Sequence, residues 1–387
     1  MKSTANQQAI ASGREKICSA DTIVVKVGSR ILTDTNGLLD IEQVGNLSKQ
    51  LVELVNRGKR VALVSSGAVA AGVGKLGLET RPESLAELQA VAAVGQAQLI
   101  QFYESFLSSY ELHAAQLLLI ADDLDDRTRY LHVRNTLGAL LDLGVIPIVN
   151  ENDTVAVEEL QTTFGDNDRL AAAVAGVLGN VALVILSDVE GVYDRDPRAA
   201  DAKIVPHIDA FDESVFEMAV NRKTGVGKGG MGSKLRAAQM VTRGGSPVVI
   251  AGGRVESVLP RLIDGQQIGT YFAPSDQGLS PKKRWIESSQ IAGSLVVDNG
   301  ASQALHQGGV SLLAIGVVEV QGGFSPGEIV GVCGSDGGEI GRGIVNYSSR
   351  DLNKIKGLHS HEIAEALGRC PYNEVIHCDV LTVYPHQ

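Results

Sequence analysis

The sequence predicts an α/β fold: a three-layer αβα sandwich around a mostly parallel sheet, followed by a small β-rich domain. Three observations carry that expectation. Short apolar runs alternate with helical stretches from residue 22 to residue 273, as in a parallel sheet covered on both faces. Small and polar residues recur directly after those runs, at Gly28-Ser29, Ser65-Ser66, Asn150 to Asp153 and Ser187-Asp188. The carboxyl ends of parallel strands share one sheet edge, where open α/β sheets bind ligands. Beyond a Pro/Gly/Ser-containing boundary at 274–281, the alternation gives way to short β runs and turns.

Each element has its own signal. Thr22 to Val27 (TIVVKV) reads as a buried strand with Lys26 inside it, a costly place for an unpaired charge. An edge lysine would snorkel to solvent; otherwise the strand end delivers an ammonium to an anion just beyond it. Ile41, Val44, Leu47, Leu51, Leu54 and Val55 have helical spacing, and Gly58 ends that helix. Arg60 to Val64 is the second strand, running into Ser65-Ser66-Gly67-Ala68, a small-residue turn that brings backbone N–H groups close to a ligand. Residues 83–109 read as helix, 113–119 as strand, 128–142 as helix, and Val181 to Leu186 as another buried strand. Pro247 to Ala251 and Thr270 to Ala273 close the sheet.

The stretch from Val145 to Ala173 organises the whole. It opens as a buried strand and ends as an alanine-rich helix. Between them lie Asn150, Glu151, Asn152 and Asp153, then Gly165, Asp166, Asn167 and Asp168. Helix capping by Asp166 or Asn167 accounts for one such residue, not for two tight polar groups. Further on, Thr224 to Lys234 (TGVGKGGMGSK) is a glycine-rich loop opening a helix from Leu235 to Arg243. Glycines with Lys228 and Lys234 at a helix N-terminus favour phosphate binding. Gly225/Gly227/Gly230 and Gly72/Gly74/Gly77 satisfy G-x-G-x-x-G, but neither set directly follows a strand, and no P-loop motif occurs.

Composition excludes several classes. At 387 residues the chain is long enough for two or three domains. The formal net charge of −11 argues against a nucleic-acid clamp. Residues 290–369 carry five Lys/Arg against eight Asp/Glu, a poor electrostatic footprint for RNA. Four cysteines without C-x-x-C spacing suggest reduced thiols in a cytoplasmic protein. Nothing resembles a signal peptide or a membrane span. His359 and His361 lack a third ligand and read as surface or capping residues, so no metal ligand is assigned.

After residue 281, strands are expected at Gly293 to Asp298, Val310 to Val320, Glu328 to Cys333 and Glu339 to Asn346. A helix from His361 to Leu367 and a last strand near Val380 finish the chain. The expected divisions are a loose extension (1–20), the α/β domain (21–274), a linker (275–290), the β-rich domain (291–369) and a C-terminal segment (370–387).

Six motifs in order resemble the glutamate-phosphorylating branch of the amino acid kinase family: VVKVGS (24–29), VSSGAVAAG (64–72), IVNENDTV (148–155), FGDNDRL (164–170), LSDVEGVYDRDPR (186–198) and GKGGMGSKL (227–235). The C-terminal segment, with KKRWI, NYSS and HSHEIAEALG, resembles a PUA domain. The resemblance implies transfer of a phosphoryl group from ATP, with Mg²⁺, to the γ-carboxylate of L-glutamate, the first step of proline synthesis. It implies Lys26 and Lys234 flanking the transferring group, and Asp168 holding both lysines. It places glutamate on Ser66, Gly67, Asp153 and Asn167, with Asn150 nearby. It places ATP on Lys26, Gly28, Ser187, Asp188 and the run Lys228, Gly229, Gly230, Met231, Gly232, Ser233 and Lys234. Proline as feedback inhibitor, a homodimer or homotetramer, and a downstream glutamyl phosphate reductase follow from the same resemblance.

Two departures stand out. Lys228 occupies a position where most relatives have Thr, and Ile120-Ala121 replaces a Thr-Arg pair in the region tied to proline feedback. Kinases of the same fold acting on aspartate, N-acetylglutamate, carbamate or UMP are the alternatives, and an acidic Asp153 favours an unblocked amine. An RNA-binding or RNA-modifying protein, acting through the PUA-like domain, is the alternative from another class.

Overall fold

A computed structural model describes residues 14–120, 123–124, 127–156, 167–211, 213–220, 230–275, 281–370 and 372–384. The chain divides into two compact units, Met1–Gly278 and Leu279–Gln387.

The first unit is built on eight strands: β1 (Thr22–Val27), β2 (Arg60–Ser65), β3 (Ala114–Leu119), β4 (Ile146–Glu151), β5 (Val181–Ser187), β6 (His207–Ile208), β7 (Val248–Gly252) and β8 (Thr270–Phe272). Their order across the sheet is β3-β4-β2-β1-β5-β7-β8-β6. All neighbours run parallel except β7 and β8. β1 is central, and every one of its residues is buried. Ile23, Val25 and Val27 join one core cluster, while the alternate position 26 carries a lysine. An interior strand rules out the snorkelling-edge reading of Lys26.

Helices cover the sheet: α1 (Ser29–Leu32), α2 (Ile41–Asn56), α3 (Ala68–Leu76), α4 (Leu85–Ser108), α5 (Arg127–Asp142), α6 (Asn167–Leu178), α7 (Glu213–Val220), α8 (Met231–Arg243) and α9 (Val258–Ile263). Local chemistry sets their starts. The Asp40 carboxylate accepts from the Gln43 N–H (3.0 Å) to cap α2. Ser84 accepts from the Glu87 N–H (3.3 Å) and donates to its side chain (2.7 Å) at the start of α4. α8 begins at Met231, four residues earlier than the apolar spacing predicts, because glycine, serine and lysine fill its first turn.

The expected loose extension is only partly so. Residues 14–19 are helical, with Ile17 in the same core cluster as Ile23 and Val25. The Arg14 guanidinium donates to the Gln266 carbonyl (2.7 Å). One apolar and one charged anchor were too little periodicity to see.

In the second unit a five-stranded sheet runs β10-β9-β11-β12-β13, with β9 Gly293–Val297, β10 Val317–Gly322, β11 Ile329–Cys333, β12 Glu339–Ile344 and β13 Leu381–Val383. The strand expected over 310–320 starts only at Val317, after a 3₁₀ turn at Ala314–Gly316. The helices α11 (Asn299–Gln307) and α12 (Ser349–Ile355) lacked a long enough apolar stripe to be foreseen. They follow α10 (Pro281–Ser288), which takes up half of the expected linker. Within α10, Trp285 and Ile286 are buried. The expected C-terminal segment is likewise part of this core, through Val375, Ile376 and Leu381. His359 heads a 3₁₀ turn, its N–H donating to Glu362 (2.7 Å), a capping role.

Candidate active site

The carboxyl ends of β1, β2, β4 and β5 bring together side chains far apart in sequence. At the centre is Asp168, in the first turn of α6. One carboxylate oxygen lies 2.7 Å from the Lys26 ammonium. The other lies 3.3 Å from the Lys234 ammonium and accepts from the Ser233 hydroxyl (2.7 Å). All three charged groups are buried. Burial alone would push the Asp168 carboxyl up, but Lys26 and Lys234 outweigh it and hold it at about 2. Two cations on one carboxylate leave a net positive charge, a fitting counterpart for a phosphoryl group.

Beside this cluster runs a chain of amides. The Asn167 Nδ2 group donates to the Ser66 hydroxyl (2.7 Å) and to Asn150 Oδ1 (3.1 Å). The Asn150 Nδ2 group in turn donates to Gln96 Oε1 (2.9 Å) on α4. Asn150 belongs to β4, whose ladder extends to Glu151 rather than ending at Val149. Ser66 follows β2 directly, where Ser65 exchanges a hydrogen bond with the buried Tyr103 hydroxyl (2.9 Å). Gly67, with φ of +111°, turns the backbone into α3, a conformation costly for any side chain with a Cβ.

A third group sits at the end of β5. Ser187 donates to Asp188 (3.1 Å), which pairs with Arg30 at 2.9 Å. Burial raises the Asp188 carboxyl, but the Arg30 hydrogen bond and charge hold it below the usual range. Gly28 lies beside Lys26: a Cβ there would sit 3.4 Å from the Lys26 ammonium. Gly230 caps the start of α8 without a side chain, so no cap side chain takes up its first N–H groups, an electropositive helix end. Met231 is buried, Gly232 and Ser233 lie in the first turn, and Lys234 reaches Asp168.

Asp153 stands apart, in a turn after β4. Burial, then the Glu151 charge, push its carboxyl up to about 7 against the pull of Arg81. No hydrogen bond joins it to the amide chain among the described residues. Lys228, Gly229, Gly165, Asp166 and Ala121 lie outside the described residues.

The sequence reading missed Gln96, Arg30 and Tyr103. Gln96 had a signal: Leu88, Ala92, Leu99 and Tyr103 mark the buried stripe of α4, and Gln96 is the polar side chain on it.

With this geometry in place, comparison assigns the class. The model for the amino acid kinase family matches residues 21–252, and that for the PUA domain matches 293–367. The chain belongs to the amino acid kinase family and carries a C-terminal PUA domain. Among its relatives is a glutamate 5-kinase of Rhodopirellula baltica, 45 % identical over the full length of both chains. A glutamate 5-kinase of Caldanaerobacter subterraneus subsp. tengcongensis is 46 % identical over 93 % of this chain and 97 % of its own. One of Nitrosomonas eutropha is 46 % identical over 96 % and 99 %. No helix among the described residues is long and apolar enough to cross a membrane.

Proposed function

We propose that this protein is a glutamate 5-kinase, transferring the γ-phosphoryl group of ATP to the γ-carboxylate of L-glutamate. The Lys26–Asp168–Lys234 cluster carries this reading. The acceptor carboxylate is already ionised at neutral pH, so it needs no general base. The obstacle is repulsion between two anions, which fixed cations relieve as charge moves in the transition state. In this reading Lys26 and Lys234 flank the transferring group. Asp168, held at about 2, is too weak a base to accept a proton near neutrality and instead fixes the two ammonium groups.

The nucleotide is proposed to lie along Gly28, Ser187-Asp188 and the start of α8, and the sequence motif adds Lys228 and Gly229, which precede the described residues of that segment. Mg²⁺ is the metal such transfers use. Among the described residues the donor set offers it no site of its own: Asp168 faces two cations and Asp188 is paired with Arg30. No protein ligand for the metal is assigned.

Ser66, Gly67, Asn150, Asp153 and Asn167 are proposed to hold glutamate, with Asp153 on its ammonium. Proline shares the α-amine and α-carboxylate, so it is proposed to compete there. A homo-oligomer and a reductase consuming the product belong to the same proposal. ADP release over glutamate, aspartate, N-acetylglutamate, carbamate and UMP tests the assignment. Glutamate alone should give rapid turnover; preference for another acceptor would overturn it.

The Asp153 carboxyl gives this reading a pH signature. Below about pH 7 the free protein holds it neutral, while an ammonium binds the carboxylate. The glutamate KM should therefore rise about tenfold from pH 8 to pH 6. Asp153→Asn should raise KM and remove the slope. A slope that persists in the variant removes Asp153 from ammonium binding. For folding the sign is opposite. The raised carboxyl stabilises the folded state in its neutral form, and that contribution fades as pH rises from 3.8 to about 7.

A further inference from the structure

The amide chain has two open ends. Among the described residues, the Gln96 Nε2 group and Asn167 Oδ1 are buried with no hydrogen-bond partner. Gln96 is 7 % exposed and Asn167 2 %. Buried polar atoms without partners are costly and rare in native proteins, so two at one site mark a place prepared for a ligand.

Their chemistry is complementary. Gln96 Oε1 accepts from Asn150, whose Oδ1 accepts from Asn167, whose Nδ2 also donates to Ser66. Each amide uses its remaining group on the next, so one end of the chain presents a spare donor and the other a spare acceptor. Reversing every amide would exchange the ends but keep one of each. A free α-amino acid carries the matching pair, an ammonium that donates and a carboxylate that accepts.

Gln96 is also held in place by backbone contact. Its neighbour Gly95 packs so tightly on the start of α3 that a Cβ there would lie 1.8 Å from the Ala68 carbonyl oxygen. α3 is the helix that Ser66 and Gly67 lead into. The main chain that carries Gln96 is thus fixed beside that turn.

We propose that Gln96 reads the α-carboxylate of the acceptor through its Nε2 group, while Asn167 Oδ1 accepts from the ammonium. The proposal rests on the amino acid acceptor assigned above. It makes Gln96 a specificity residue for an unblocked zwitterion, in addition to its hold on Asn150. A site built to hydrogen-bond one substrate group discriminates strongly against analogues lacking it.

Gln96→Glu tests this. It keeps an acceptor for Asn150 and replaces the donor with an anion. The probe is 4-aminobutyrate, which has the amine and the reacting carboxylate but no α-carboxylate, measured as a competitive inhibitor. The variant should raise the glutamate KM by 10-fold or more, with kcat at saturation within about threefold. The Ki of 4-aminobutyrate should be nearly unchanged, so the preference for glutamate collapses. Equal loss for both compounds, or no loss for either, would overturn the proposal. Should Gln96→Glu fail to give a native melting transition, Gln96→Met carries the same comparison without added charge, and an intact preference there would equally overturn it. Wild-type ADP release dependent on glutamate is measured alongside: its absence sinks the kinase assignment, whereas its presence with an unchanged ratio sinks only the role of Gln96.

Discussion

Lys234→Ala is expected to lower kcat by about 100-fold or more while the glutamate KM changes by only a few-fold. The ammonium lies in a buried cluster at the start of α8, 3.3 Å from Asp168. In the proposed reaction its charge matters most as negative charge moves from the leaving phosphate toward the acceptor. An interaction made chiefly in the transition state lowers turnover rather than substrate affinity. Removing Lys234 leaves Asp168 with Lys26 and the Ser233 hydroxyl, so the fold should survive. Asp168→Asn should also damage turnover, by releasing both lysines. It should remove no ionisation from the pH profile of kcat/KM, since a carboxyl held at about 2 does not titrate in the working range. A large KM rise with normal kcat in Lys234→Ala would make it a binding residue. A lost ionisation in Asp168→Asn would make it a base.

Much of this cluster was legible because it rests on strand ends. An apolar run followed by small or polar residues marks both a buried strand and the edge where its ligand groups emerge. That logic found Lys26, Ser66, Asn150 and Ser187 without contacts. It also drew Asp168 and Lys234 as separate helix-start signals, but periodicity could not show that they meet across 3.3 Å. Distance in space between residues 26, 168 and 234 is set by sheet order, and order is not written in local pattern.

The misses have physical causes too. Gln96 sits on an otherwise apolar helix stripe, and a stripe argument counts the apolar majority. Arg14 and residues 281–288 were assigned to extension and linker because their anchors are one or two buried side chains. Gly72 was weighed as part of a nucleotide fingerprint. Its actual function is close packing: a Cβ there would lie 2.0 Å from the Val91 carbonyl oxygen. Glycine in a helix says that something approaches closely, but not what.

Gly95→Ala should be among the most disruptive single-methyl changes in the first unit. The added Cβ would lie 1.8 Å from the Ala68 carbonyl oxygen, 2.3 Å from the Gly72 nitrogen and 2.8 Å from the Gly72 Cα. All three are backbone atoms, so no side-chain rotation relieves them. α3 and α4 must move apart, and with them the turn at Ser66–Gly67 and the Gln96 end of the amide chain. Overpacking of this kind costs about 3 kcal/mol, enough to lower Tm by roughly 5 °C in a unit of this size. Helix propensity works the other way, favouring alanine by about 1 kcal/mol, and is too small to offset the clash. Gly138→Ala makes the control, since Gly138 lies within α5 and its added Cβ would meet nothing within 4 Å. There the propensity gain should stand alone and Tm should rise by about 1–2 °C. Differential scanning calorimetry on both variants checks the pair. The glutamate KM should rise in Gly95→Ala and stay at the wild-type value in Gly138→Ala. Equal melting temperatures for the two would mean that α3 and α4 do not meet at Gly72 and Gly95, and the placement of Gln96 would fall with that contact.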